Sequence, residues 1–249
     1  MVILFSLIVM RMTGAVAFNP IFGRTNIPAR AKAAFIFSLA LMLYLAQGGV
    51  LPKEPATLLE YGVMLVSELF FGFVTGFSIE LAFLVVQYAS AVMDFVMGLS
   101  MAQIYDPQYN TQMTVTNGLF YAFFMLLFLS LNGHIWLVGL FFKSARQVPF
   151  GQVAVSPVMA EYILEMFQDA IYMGVQFAFP MIAMELVTEA AVGILMKIIP
   201  QINVFSVNFQ IKLMVGIWML LYLFGPMSDQ LYGLAGTLKQ WAEGLAGLF

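Results

Sequence analysis

The chain has 249 residues, of which 62% are hydrophobic and only 9% are charged, and its mean hydropathy is +0.94. Soluble domains carry about 25% charged residues, so this composition is typical of an integral membrane protein. A net charge of −3 without a clustered basic face argues against nucleic acid as a partner, and the lack of cysteine excludes disulfides and thiolate metal sites.

Two apolar blocks open the chain, one over residues 1–22 and one over residues 33–51. The densest basic cluster of the sequence lies between them and contains Arg24, Arg30 and Lys32. The positive-inside rule predicts that this cluster is cytoplasmic and that the N-terminus lies outside. Because the first ten residues are apolar without a basic region before them, the first block is predicted to be an uncleaved anchor.

Residues 58–97 are apolar over a length that is too great for a single membrane crossing. The loop charges place both ends of this block outside, which predicts an even number of crossings with a turn near residues 75–78. Long helices that bend or lie against protein are an alternative. Gly72 and Gly76 fall on one helix face, at the spacing that lets two helix backbones approach closely, and are predicted to pack helices.

Residues 98–117 form the longest polar interval between two apolar blocks and contain no lysine or arginine. Asp106 and Pro107 predict a turn, because proline fixes its own φ and restricts the residue before it. The interval also has more apolar surface than a solvated connector needs, from Met101, Ile104, Tyr105 and Met113. It is interpreted either as a loop folded onto its own helices or as a soft plug inside a pore.

Further apolar blocks are predicted over residues 118–142, 158–184, 186–199 and 204–227. The second and third of these blocks are predicted to be kinked around Pro180, and the last to be stopped by Gly225 and Pro226. The remaining residues, 228–249, are predicted to form a short amphipathic helix that lies on a surface.

Two groups of polar residues stand out within these blocks. Glu161, Glu165 and Asp169 are spaced i, i+4 and i+8, so they share one helix face and repel one another unless water or cations meet them. Asn132 and His134 lie inside an apolar block. An ionisable group there suggests function, but a structural hydrogen bond between helices is the favoured interpretation of His134.

The sequence has no phosphate-binding glycine loop, no Gly-x-Ser-x-Gly and no His-Glu-x-x-His. A carboxylate metal site would also be expected to add a Glu-x-x-His pattern, which is missing. The prediction is therefore a protein that is not an enzyme and that needs neither a metal nor a cofactor.

Several segments, taken in order, resemble the FliR family of the flagellar type III export gate, which is related to the SctT family of injectisomes. The resemblance extends from about residue 18 to about residue 226. The segments that carry it are Phe18-Asn-Pro-Ile-Phe-Gly23, Ile27-Pro-Ala-Arg30, Gly98-Leu-Ser100 with Asp106-Pro107, Phe128-Leu-Ser-Leu-Asn-Gly-His-Ile-Trp136 and Pro200-Gln-Ile-Asn-Val-Phe-Ser206.

The resemblance implies a fold and a set of partners. The fold would be an all-α membrane protein with a single multi-helix domain over residues 1–249, whose helical hairpins pack into a helical hetero-oligomeric export gate. The partners would be FliP-like, FliQ-like and FlhB-like subunits, membrane lipid and unfolded export substrates. The location would be the bacterial inner membrane, at the flagellar basal body.

The resemblance also implies that the central interval contributes a plug to the closed channel. Family members often carry aromatic residues just before the Asp-Pro pair, and the corresponding positions here are Met101 and Ile104. An export-gate subunit of a virulence injectisome remains an alternative. A secondary transporter is a further one, although it would require an inverted internal repeat, and no convincing repeat is found.

Overall fold

The computed structural model describes residues 2–23, 27–47, 51, 54–101, 103–106, 111–153, 157–199 and 204–247. These residues form seven α-helices, a short 3-10 helix over Leu99–Met101 and one β-hairpin. The helices are α1 (Val2–Ala17), α2 (Ala29–Ala46), α3 (Leu58–Val96), α4 (Val115–Ser130), α5 (Gly133–Gln147), α6 (Pro157–Ile198) and α7 (Val204–Gly247), and the strands are β1 (Gln103–Asp106) and β2 (Thr111–Thr114). The prediction of an all-α membrane protein is confirmed, with the hairpin as the exception.

Helix α3 is the centre of the fold. Its N-terminus is capped by Thr57, whose hydroxyl accepts a hydrogen bond from the Glu60 amide at 3.1 Å, while the Glu60 carboxylate accepts from the Ala56 amide at 2.8 Å. The helix contacts α1, α4, α6 and α7. Its 39 residues extend over about 58 Å, nearly twice the thickness of the hydrocarbon core of a bilayer.

The prediction of a turn near residues 75–78 is wrong, because α3 continues through this position without a break. The Thr75 and Ser78 hydroxyls donate to the carbonyls of Phe71 and Thr75, so their polar groups are satisfied inside the helix. The alternative prediction, a long helix that lies against protein, is the arrangement observed. In the most apolar 18-residue stretch of α3, 67% is buried inside the fold.

Helices α1 and α3 approach each other at glycine. A Cβ atom on Gly72 would overlap the carbonyl oxygen of Arg11, and one on Gly76 would lie 3.0 Å from the carbonyl oxygen of Ala15. From the other side, a Cβ atom on Gly14 would come within 2.6 Å of the Phe73 amide nitrogen. The two backbones therefore pack at a distance that only residues without side chains permit.

Replacing Gly72 by Leu is expected to push α1 away from α3 and to lower the yield and thermal stability of the solubilised protein, alone and in any partner complex. Overpacking of this kind costs about 1–3 kcal/mol, and more where the obstacle is backbone. Gly62→Leu is the matched control, because Gly62 is also on α3 and has open space around its Cβ position. Equal behaviour of the two variants would contradict the close approach.

The predicted block over residues 118–142 is two helices rather than one. Helices α4 and α5 meet at an angle of 65°, with Asn132 at the break. Asn132 has φ = 55°, a left-handed conformation that asparagine tolerates better than most residues, and its carbonyl accepts from the amides of Ile135 and Trp136. The Asn-Gly pair therefore ends one helix and starts the next.

Two prolines lie inside helices instead of ending them. Helix α6 continues through Pro180 and α7 through Pro226, so the predicted boundary at residues 184–186 and the predicted stop at Gly225 are wrong. A proline removes one backbone hydrogen bond, and a long apolar helix can tolerate that loss because its other backbone hydrogen bonds remain.

The tail predicted from residue 228 onward is the second half of α7. Its amphipathic character is present, but its apolar face packs into the core formed with α3, α4 and α6. The buried residues of this face recur at helical spacing and are Leu231, Leu234, Leu238, Trp241 and Leu245. At its end, Lys143 of α5 lies 3.0 Å from the Glu243 carboxylate. The apolar face of this half of α7 is therefore covered by protein, and the end of the helix reaches α5.

Four helices within the described ranges are long and apolar enough to cross a membrane, namely α2, α3, α6 and most of α7, and the bent pair of α4 and α5 would make a fifth. These helices differ in how much of their apolar surface the chain covers. In the most apolar 18-residue stretch of each helix, 22% is buried in α6 and 6% in α7, compared with 67% in α3. The outer helices thus leave a broad apolar surface for lipid or other subunits.

Candidate functional site

The central interval connects α3 to α4 through the 3-10 helix and the hairpin. The antiparallel strands pair Gln103 with Thr114, Ile104 with Met113, Tyr105 with Gln112 and Asp106 with Thr111. Two of the residues predicted to form the plug, Ile104 and Met113, therefore occupy directly opposite positions. The predicted loop of residues 98–117 is shorter than expected, because its last three residues already belong to α4.

Only the first residue of the turn predicted at Asp106 and Pro107 is among the described residues. Asp106 ends β1, whereas Pro107 lies outside the described residues. The backbones of Met101, Ile104, Tyr105 and Met113 are described but their side chains are not, so their role as a seal stays a prediction.

Asp94 joins the two helices that flank the hairpin, at the base of the hairpin. This residue of α3 has no exposed surface, and its carboxylate accepts a hydrogen bond from the Thr116 amide at 3.0 Å and a second one from the Thr116 hydroxyl. Thr116 is in the first turn of α4, where backbone N–H groups lack helical partners and a negative charge is favourable. The end of α3 is thereby fixed to the start of α4.

The residues beside this base are also tightly packed. Met97 is fully buried, and Gly98 has φ = +79°, a conformation that favours glycine, with the ring of Phe209 on α7 against its Cβ position at 3.3 Å. The hairpin thus starts from a packed base, called the foot, to which α3, α4 and α7 contribute.

A second buried polar centre joins α1, α3 and the segment after α5. The Arg11 guanidinium donates to both oxygens of the Glu68 carboxylate, at 2.5 and 3.1 Å, and neither side chain is exposed. Arg11 also donates to the carbonyls of Val148 at 2.9 Å and Ser144 at 3.3 Å. Glu68 accepts a further bond from the Gly151 amide at 2.8 Å.

Aromatic rings complete this centre. The Arg11 guanidinium lies 4.1 Å from the centroid of Phe150 and 4.5 Å from that of Phe71. The pairing of Arg11 with Glu68 was not predicted from the sequence, although a signal is present there. Each is a charged residue within a long apolar block, and such residues usually pair with one another.

The predicted polar pair, Asn132 and His134, is not in the interior of the chain. Both side chains are exposed, and His134 makes no hydrogen bond within the described part of the chain. The interhelical hydrogen bond favoured for His134 is therefore not observed, because the break at Asn132 carries the start of α5 to the surface.

The acidic stripe lies on the first half of α6. Glu161, Glu165 and Asp169 are all exposed, whereas Met166 and Ala170 on the same helix are buried. The described part of the chain therefore does not enclose these carboxylates. Nowhere in the described ranges do three or more His, Cys, Asp or Glu side chains come together in a way that could hold a metal ion.

The sequence profile of the family described as bacterial export proteins, family 1, matches residues 2–237. The chain belongs to this family. The match covers all seven helices except the end of α7, so the family extends over both buried polar centres and the central hairpin.

Curated relatives carry the name flagellar biosynthetic protein FliR. The one from Escherichia coli strain K12 is 28% identical, over 90% of this chain and 86% of its own length. The one from Bacillus subtilis strain 168 is 28% identical, over 87% and 84% of the two chains. The one from Aquifex aeolicus strain VF5 is 29% identical, over 81% and 78%. The predicted family is therefore confirmed.

Proposed function

We propose that this family member is a subunit of the flagellar type III protein export gate in the bacterial inner membrane, where it forms part of the channel for unfolded flagellar proteins. The observation that carries this proposal is the family match over residues 2–237, together with relatives named flagellar biosynthetic protein FliR. The membrane location is supported by the four long apolar helices. The subunit is non-enzymatic in this proposal and acts by packing, sealing and opening.

The partners are proposed to be FliP-like, FliQ-like and FlhB-like subunits. The support is the uncovered apolar surface of α6 and α7, because extended exposed apolar surface marks contacts with other subunits or with lipid. The large exposed side chains on α7 recur along much of the helix and include Phe209, Met214, Trp218, Leu221 and Tyr222. Partner helices and lipid would share this surface.

The central interval is proposed to seal the closed channel. A pore for unfolded chains must block ions and water when idle, and flexible apolar side chains can close around nothing or around a polypeptide without sequence preference. The foot formed by Asp94, Met97 and Thr116 gives the hairpin a fixed origin. The seal itself is assigned to Met101, Ile104, Tyr105, Asp106, Pro107 and Met113.

Co-expression with the candidate partners tests the proposed function most directly. The chain should be recovered in a complex whose mass includes FliP-like and FliQ-like subunits, and it should restore motility to a flagellated strain that lacks its own FliR. Recovery of a stable chain alone that transports a small solute would instead favour a secondary transporter. Restored injectisome secretion without motility would favour the injectisome.

Neutralising the acidic stripe is expected to impair assembly or export while leaving membrane insertion intact. The three exposed carboxylates would face a hydrated lumen or a basic partner surface, since facing lipid would cost several kcal/mol for each charge. The variant is Glu161→Gln with Glu165→Gln and Asp169→Asn, and the measurements are complex recovery and motility. Glu54→Gln, an exposed acid outside the helices, is the control. Wild-type values for both measurements would refute a role for the stripe.

A further inference from the structure

Glu185 on α6 is buried, and its carboxylate has no hydrogen-bond partner among the described residues. The residue is 2% exposed, and neither carboxylate oxygen has a hydrogen-bond donor within the described part of the chain. Its Oε1 atom lies 3.2 Å from the point that a Cβ atom on Gly216 of α7 would occupy. The Met97 side chain contacts the same point. The carboxyl group is therefore enclosed by α6, α7 and the foot of the central hairpin.

Among the described residues, the charged groups whose electrostatic influence reaches Glu185 include Glu189 and Lys212. Glu189 is one helical turn further along α6, and Lys212 is on α7, one turn before Gly216. The Lys212 ammonium lies 3.3 Å from the Glu189 carboxylate, so this cation is engaged with the other acid. Met97, which directly follows α3 and lies next to the carboxyl group, is uncharged, and Asp94, one helical turn before Met97, is bonded to Thr116.

An ionised carboxylate in this position would lack both water and a donor, and its charge would add to that of Glu189. Burial without compensation disfavours the charged form of a carboxyl group. A metal ion is not a fitting ligand, because no group of three acidic or histidine side chains forms around Glu185 within the described ranges. A proton is the cation that a single carboxylate can bind without further ligands.

We propose that Glu185 is a proton-binding site, and that the packing of α6 on α7 at Gly216 requires the neutral acid. The proton comes from water and returns to water when this contact opens. Once ionised, Glu185 would hold a buried charge without a hydrogen-bond donor and beside the charge of Glu189, and the cost of that buried charge would weaken the α6–α7 contact beside Met97. The inference does not depend on the hairpin being a seal.

Infrared spectroscopy of the purified complex in lipid nanodiscs tests this site. The wild type at pH 7 should show the carbonyl band of a protonated carboxylic acid, and Glu185→Gln should remove the part of that band that Glu185 contributes, which is read from the difference between the two spectra. Glu54→Gln, which removes an exposed carboxylate outside the helices, should leave the band unchanged. A spectrum without such a band at pH 7, or a difference spectrum of wild type and Glu185→Gln that contains no carboxylic-acid band, would overturn the proposal.

A second variant covers the case in which Glu185→Gln does not assemble. Glu185→Asp keeps a carboxyl group but draws it back from Gly216, so a band that arises from this residue must shift in frequency. An unchanged band in Glu185→Asp would show that the protonated acid is elsewhere and would refute the assignment.

Discussion

Cells that express the gate with Met101→Ala and Ile104→Ala are expected to leak ions while the complex still assembles. The two substitutions remove several methylene-sized groups, each of which contributes about 0.8 kcal/mol when buried. If those contacts form only in the closed channel, their loss shifts the gate toward the open state by roughly three orders of magnitude. The measurement is ion conductance or entry of a small solute, compared with wild type.

The leak should be specific to the hairpin. Leu126→Ala is a suitable control, because Leu126 on α4 is exposed and lies outside the central interval. Complex recovery should be unchanged in both variants, since the hairpin contributes little to the packing of the helices. Deleting residues 101–113 provides the strongest test. If conductance and export both stay at wild-type values after that deletion, the interval is a connector and not a seal.

Glu68→Ala is expected to destabilise the fold severely, and more than Gly72→Leu does. It would leave the Arg11 guanidinium buried without a counter-charge and the Gly151 amide without its acceptor. Removing one partner of a buried ion pair costs about 3–5 kcal/mol. The midpoint of thermal unfolding and the yield of solubilised protein should both fall well below those of the wild type.

The matching double variant separates charge from packing. Arg11→Met with Glu68→Leu removes both charges and fills the space with apolar groups, a change that is often neutral or stabilising. It should therefore recover most of the stability lost in Glu68→Ala. A double variant as unstable as the single one would show that the loss comes from the hydrogen bonds to Val148 and Gly151 instead.

The sequence predicted the order of the apolar segments well because apolar length is a strong signal for helices in a membrane protein. It failed where two effects compete at one residue. Pro180 and Pro226 are helix breakers in local terms, but α6 and α7 continue through them, because a long apolar helix retains most of its other backbone hydrogen bonds. The loop charges required a turn near residues 75–78, yet α3 is long because protein covers most of its apolar surface.

The candidate site could be predicted in part. The Gly72 and Gly76 spacing indicated close helix packing, and the structure identifies α1 as a helix that packs there. The polar composition of residues 98–117 marked the central interval, but four-residue strands are too short to be recognised from composition. The contact between Arg11 and Glu68 joins residues 57 positions apart, and a single sequence cannot specify such a pair.

The two hydrogen bonds between Asp94 and Thr116 have a consequence for the hairpin, which could be replaced as a unit. Its two ends, 22 positions apart, are pinned by residues of the flanking helices, so the hairpin between them can vary without moving α3 or α4. Doubling the length of a closed flexible loop costs only about 0.6 kcal/mol, a small penalty beside the packing of the helices. Hairpins of different length or composition could therefore be grafted between the same two helix ends, so the segment proposed as the seal could change while α3 and α4 stay constant.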